Sequence, residues 1–346
     1  MKALLLSIVL SGFVFAACEK DKADPEIEKM SAVRGYANWF IDDFRCGLYV
    51  PENYNGSKSY PLIIYLHGHT DTTTWNLGWY NEPILSKDPC IVLTPECPEE
   101  EIYGWGSSYD PRISPMMAKT FEMIDRTEKA FNLDEDRYYI YGISMGGYGT
   151  YGVIQKYPGM FAAGYVECGA GSIDIAPVLS EIPFWIFHGS EDPVVPVEAA
   201  RNLYQAVLNN GGLQIRYTEY EGVSHNTWDF VRYETTLPWW LLAQHRGSVH
   251  QEPGIVNGFK GELYEGGKVG LQWEIPTESW PPTDNNIWYC RIYRDNVVVS
   301  EVYNNLNSFI DSALVTGNTY AYRISAVNYF FRESKLSDPV NVVVME

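Results

Sequence analysis

The sequence predicts an α/β protein, a mostly parallel sheet with helices on both faces, followed by a small all-β module. Three observations carry that prediction. First, six apolar runs rich in β-branched and aromatic residues, PLIIYLHG, CIVLTPE, RYYIYG, AAGYVEC, PFWIFHG and LQIRYTEY, alternate with helical patterns at Pro115 to Phe131, Gly147 to Lys156 and Val197 to Asn209. Second, those runs are apolar almost throughout, as strands buried on both faces must be. Third, the helical patterns stop near His250, and from Val269 only short alternating strands recur: VGLQW, WYCRIYRD, VVVSEVY, TYAYRISAVN and VNVVV. Turn residues separate them, which implies a β-sandwich. With 346 residues, 46% of them hydrophobic, the chain has material for one large domain and one small one.

Taken from the start, MKALLLSIVLSGFVFAAC places Lys2 before an apolar run that is short for a membrane span and fits an export signal. Ala16-Ala17-Cys18 resembles a bacterial lipoprotein cleavage site, with Phe15 where leucine is usual. Residues 1–18 are therefore expected to be a signal segment ending at a lipidated Cys18. The resemblance implies an exported, lipid-anchored cell-envelope protein whose membrane contact is the lipid alone. Residues 19–33 are polar and charged and read as a tether. The large domain is expected over 34–248 and the sandwich over 250–346.

Composition removes several functions. Lys and Arg number 25 against 44 Asp and Glu, a net charge of −19, which repels polyanions and argues against nucleic acid. Beyond Cys18 the cysteines, Cys46, Cys90, Cys97, Cys168 and Cys290, are odd in number and show no CxxC spacing, so structural zinc is not expected. Buried thiols are favoured over a Cys90–Cys97 disulfide.

The stretch YGISMGGYG, Tyr141 to Gly149, places four glycines around Ser144. RYYIYG before it reads as a strand and GTYGVIQKYP after it as a helix, so Gly142-Ile143-Ser144-Met145-Gly146 is a G-x-S-x-G turn between the two. In such a turn the serine hydroxyl stands at the C-terminal edge of the sheet, above a helix N-terminus. A serine is a poor nucleophile without a base, and the base needs an orienting acid. Asp192 follows the run PFWIFHGSEDPVVP, and His225 follows QIRYTEYEGVSHNTWDF, each in a loop after an apolar strand. Glu191 is the alternative acid; Asp192 is preferred for its shorter side chain beside Pro193. Oxyanion donors are expected from the Met145 amide and, past Gly68, from the amide of His69 or Thr70. His67 and His69 alone do not complete a metal site, and no metal or other cofactor is expected.

These residues resemble the α/β-hydrolases of the dienelactone hydrolase, phospholipase/carboxylesterase and depolymerase-like esterase clan, a group that includes carbohydrate esterase family 1 and chains labelled peptidases. LYVPENY before PLIIYLHG, DEDRYYIYGISMGGYGTY, KYPGMFAAGYVECGAG, FHGSEDPVVP and YEGVSHNTWDF carry the resemblance, over about Arg45 to Arg246. It implies hydrolysis through an acyl-enzyme, with Ser144 as nucleophile, His225 as base and acid, and Asp192 as its orienter. Acetyl or feruloyl esters of plant polysaccharide are the implied substrates; a serine peptidase, or an esterase or lipase on another small ester, is the alternative. His69 stands where many relatives have a small residue. Trp75, Trp105, Tyr109 and Trp228 are the aromatic residues expected to line the substrate site. Trp273, Leu314 and Tyr320 resemble the core tryptophan and tyrosine corner of a fibronectin type III domain. With that core of its own the sandwich is expected to be dispensable, so that a chain ending near His250 still folds and hydrolyses small esters.

Overall fold

A computed structural model of the protein describes residues 24–69, 87–98, 104–274, 282–303 and 306–345. Cys18, Thr70 and Trp75 lie outside them. The structure begins with helix α1 (Pro25–Ser31), capped by the Asp24 carboxylate, which accepts from the Glu26 amide. Met30 of α1 is fully buried in the main core, so the expected tether is folded over this helix.

An antiparallel hairpin follows, β1 (Gly35–Ile41) and β2 (Phe44–Val50). Then come β3 (Tyr60–Leu66), β4 (Ile91–Pro95), β5 (Leu133–Ile143), β6 (Ala163–Glu167), β7 (Phe184–Gly189) and β8 (Ile215–Tyr220). One eight-stranded sheet results, in the order β1-β2-β4-β3-β5-β6-β7-β8. β2 runs antiparallel to β4, and all pairs from β4 to β8 are parallel. Helices α2 (Pro115–Ala130), α3 (Met145–Lys156), α4 (Ala176–Leu179), α5 (Val197–Asn209), α6 (Trp228–Val231) and α7 (Leu237–Ala243) complete the module. The six apolar runs are β3 to β8, as the pattern predicted.

Successive strand residues serve opposite faces. Leu62, Ile64, Ile140, Val166 and Ile186 pack with residues of α2, α3 and α5. Ile63, Tyr139, Tyr165, Trp185 and Phe187 pack with Trp240 and Leu241 of α7 on the other face. That second face is aromatic: Tyr65 stacks on Tyr141 at 4.8 Å, and Tyr141 on Tyr165 at 4.4 Å.

The C-terminal module is all-β. β9 (Lys260–Tyr264), β10 (Lys268–Gln272) and β13 (Ser308–Asp311) form a sheet in the order β13-β10-β9. β11 (Ile287–Arg294), β12 (Val297–Tyr303), β14 (Thr319–Asn328) and β15 (Val340–Val343) form the other, in the order β12-β11-β14-β15. Val269, Leu271, Trp273, Ile292, Tyr322 and Ile324 make its core. The Tyr320 hydroxyl accepts from the Val315 amide at 3.0 Å.

The two modules share one aromatic core. Trp288 of β11 meets Trp185 of β7 edge to face at 5.4 Å, and Phe331 stacks on Trp240 at 5.5 Å. The Arg216 guanidinium of β8 lies 4.6 Å from the Trp185 ring centre and 4.9 Å from that of Trp288, and donates to the Tyr303 hydroxyl. Gln244 donates to the Tyr329 carbonyl at 2.9 Å. The sandwich has the core of its own, around Trp273, on which the expectation of a dispensable module rested; beside it a second, shared cluster joins Trp288 to Trp185 and Trp240, so removing one module would expose the other's aromatic face.

Candidate active site

Ser144 is the hinge between β5 and α3, with φ 52° and ψ −113°. A non-glycine residue in that region is strained, and the surroundings must hold it there. They do so by close packing. A Cβ on Gly146 would lie 1.9 Å from the Leu66 carbonyl oxygen, and one on Gly142 2.2 Å from that of Gly146. Only glycine lets strand and helix approach this closely, which accounts for the composition of the turn. The Ser144 amide donates to the Glu167 carbonyl at 2.8 Å, fixing the turn to β6.

The other two residues arrive from the next strand ends. Asp192 follows β7 in a loop tied by its own side chain: Oδ1 accepts from the amides of Val194 (2.8 Å) and Val195 (2.9 Å). Oδ2 lies 2.7 Å from His225 Nδ1, and His225 Nε2 lies 2.9 Å from Ser144 Oγ. The Asp192 carboxylate is fully buried, while Glu191 is exposed. A buried carboxylate on Nδ1 keeps the proton there and leaves Nε2 to accept from the serine hydroxyl. His188 is buried alongside, donating from Nε2 to the Val195 carbonyl at 2.9 Å; desolvation lowers its pKa, so it stays neutral and adds no charge beside Asp192.

Met145 is the first residue of α3, so its amide has no partner within the helix. A Cβ on Gly68 would lie 3.7 Å from Ser144 Cβ, which brings the loop carrying His69 to the nucleophile. His67 ties that loop down: its Nε2 accepts from the Cys97 amide at 2.9 Å, and its Nδ1 lies 2.6 Å from the Gly68 carbonyl oxygen. Both ring nitrogens are thus engaged, which removes the H-x-H metal reading. Ligand atoms of Cys168, Asp192 and His225 lie within 4.8 Å of one another, but the last two already bond each other.

A solved thermostable esterase superposes with a TM-score of 0.56 at 32% identity, over 61% of this chain and 63% of that one. The large module has the α/β-hydrolase fold. Residues 40–205 match the sequence-family model described as "Putative esterase". Among curated proteins, a bifunctional acetylxylan esterase/xylanase of Neocallimastix patriciarum is 26% identical over 153 residues, covering 43% of this chain and 21% of that protein. A dipeptidyl-peptidase 5 of Porphyromonas gingivalis is 24% identical over 140 residues, 38% of this chain and 20% of that one. A protein of Aspergillus terreus described as probable feruloyl esterase C is 25% identical over 173 residues, 48% and 62% respectively. The chain therefore spans about a fifth of the length of the first two relatives.

Around Ser144 and His225 the expected aromatic residues divide. Trp228 is half-buried with its ring edge-on to His225 at 5.9 Å. Tyr109 is 60% exposed. Trp105 is a correction: it is 1% exposed and donates from Nε1 to the His67 carbonyl at 3.0 Å, so it braces the loop carrying Gly68 and His69 and offers no ring to a ligand. The five described cysteines are buried thiols. Glu167 was not anticipated. Its carboxyl is buried at the end of β6, desolvation pushes its pKa up to about 8 against the opposing influence of Arg232, and Oε2 has no hydrogen-bond partner. The signal was present as a lone acid in the apolar run AAGYVEC.

Proposed function

We propose that the protein is a serine carboxylic-ester hydrolase that removes acyl groups, acetyl or feruloyl, from plant-type polysaccharide or its oligosaccharides. The observation that carries this reading is the hydrogen-bonded chain from Ser144 Oγ through His225 to the buried Asp192 carboxylate. Ser144 Oγ attacks the ester carbonyl carbon as His225 Nε2 takes its proton. The oxyanion that forms meets the amides of Met145 and His69. Collapse expels the alcohol, protonated by His225, and leaves Ser144 acylated; water activated by the same imidazole then releases the acid.

The names of the acetylxylan esterase and feruloyl esterase relatives support the substrate class. The dipeptidyl-peptidase relative keeps a peptidase reading in view. Chemistry favours the ester: an alkoxide leaves readily once the oxyanion is stabilised, whereas an amine must be protonated as it departs. The C-terminal sheets we assign as a fibronectin type III-like module, from the Tyr320 corner bond and the buried Trp273. Export and lipidation at Cys18 complete the proposal.

The test is a panel of p-nitrophenyl esters, acetylated and feruloylated oligosaccharides, and peptides. Ser144→Ala and His225→Ala each lose most ester hydrolysis, and the double variant is little worse, because the pair acts as a unit. Asp192→Asn loses less, and Glu191→Gln almost nothing. Efficient peptide cleavage with no ester hydrolysis would overturn the reading.

A further inference from the structure

Residues 104–114, which lead into α2, are fastened to the nucleophile helix and to the loop after β6. Lys156 Nζ donates to the Ser107 carbonyl at 3.1 Å, and Ser108 Oγ accepts from the Ser172 amide at 2.8 Å. A Cβ on Gly152 of α3 would lie 2.8 Å from the Ser107 carbonyl carbon, so loop and helix touch backbone to backbone. With Trp105 also bonded to the His67 carbonyl, this segment forms a wall fixed along α3, the helix that Ser144 opens.

The same wall leaves Tyr109 exposed instead of folding it into the core. Tyr109 faces Tyr148 with ring centres 6.5 Å apart, and the Tyr148 amide donates to the Ser144 carbonyl, one helical turn from the nucleophile. Between them and the start of α2 lies a groove of about 650 Å³, lined by Tyr109, Asp110, Arg112, Ile113, Ser114 and Tyr148. That volume is in the range of ligand clefts, roughly 300–1,000 Å³. At its open edge Arg112, its side chain 85% exposed, grips Asp110 with two nitrogens, Nε at 3.0 Å and Nη2 at 2.7 Å, leaving guanidinium and carboxylate edges towards solvent.

We propose that this groove is a glycan subsite for neutral sugar residues flanking the esterified one, with Tyr109 as the stacking face and the Asp110–Arg112 pair bonding ring hydroxyls. The proposal rests on the ester-hydrolase reading of the adjacent triad. A sugar ring offers an apolar C–H face bordered by hydroxyls, which an exposed tyrosine beside paired donors and acceptors complements. The pair is neutral overall, and the chain carries −19, so a polyuronate would be repelled at long range.

The experiment uses the full chain with Ser144→Ala, titrated calorimetrically with a non-acylated xylo-oligosaccharide and with an oligogalacturonate. The xylo-oligosaccharide binds, adding Tyr109→Ala weakens it about tenfold, and the oligogalacturonate binds far more weakly. In the active chain Tyr109→Ala raises KM for an acetylated xylo-oligosaccharide several-fold more than for p-nitrophenyl acetate, with kcat little altered. Equal affinity with and without the Tyr109 ring, or a preference for the uronate, overturns the subsite while ester hydrolysis stands. Tyr109-dependent glycan binding by a chain that cleaves no ester overturns the hydrolase reading instead.

Discussion

Replacing Trp288 by alanine tests whether the two modules are one folding unit. Trp288 is 3% exposed and lies against Trp185 (5.4 Å), Phe331 (5.3 Å), Tyr289 (5.4 Å) and Tyr329 (6.0 Å). Deleting a buried tryptophan costs about 3–5 kcal/mol. Arg216 also loses one of its aromatic faces, at about 0.5–2 kcal/mol, and its Nη1 is already buried without a hydrogen-bond partner. For a protein of this size the melting temperature should fall on the order of 10 °C. Differential scanning calorimetry then shows a single transition in both proteins, shifted as a whole. A chain ending near His250 exposes Trp185 and Trp240 and should aggregate or bind a hydrophobic dye. The reasoning is refuted if that truncated chain melts and turns over p-nitrophenyl acetate like the full one.

Two further outcomes follow from the site. Gly146→Ala puts a methyl group 1.9 Å from the Leu66 carbonyl oxygen, so the variant should lose both ester hydrolysis and several kcal/mol of stability, seen by urea titration. Glu167→Gln removes a buried carboxyl whose folded pKa is raised to about 8. In the wild type its stability contribution is complete below the unfolded value and is lost as pH rises towards 8, by up to ~1.4 kcal/mol per pH unit. The melting temperature of the variant should therefore gain on the wild type from pH 5 to pH 8; a constant difference would contradict this.

The sheet was legible because β3, β4, β6, β7 and the second half of β5 are buried almost throughout and read as apolar runs; β8, at the edge, keeps Arg216 and Glu219 and was read from its β-branched and aromatic residues. β1, β9 and β13 were not, since each exposes alternate residues or is only four or five residues long; β9, KGELY, has no buried residue at all. Ser144, Asp192 and His225 could be placed by chain order because each must follow a strand, and their contact distances agree with that placement. The roles of Trp105 and Glu167 depend on which neighbours the fold supplies. A tryptophan in GWGSS looks equally suited to a rim or a strut until the His67 carbonyl is seen to accept from it.

The position of the second module has a mechanical reason. The proposed hydrolysis asks that His225 stay within hydrogen-bond reach of both Ser144 and Asp192, and a displacement of about 1 Å is enough to cost a large factor in rate. Ser144 follows β5, clasped by β3 and β6 in the middle of the sheet, whereas His225 follows β8, the last strand, with a neighbour on one side only. Edge strands are the ones free to fray or to pair wrongly. Arg216 anchors that strand to Trp185 of β7 on one side and to Trp288 and Tyr303 of the sandwich on the other. The strands that lead to Asp192 and His225 are thus held by the C-terminal module. A variant at Arg216 should then lower kcat in proportion to the mobility it gives the His225 loop, with KM for a small ester moving less, even though Arg216 touches no substrate. Amide hydrogen exchange over residues 215–231 measures that mobility directly, and a fall in kcat with unchanged exchange would rule the brace out.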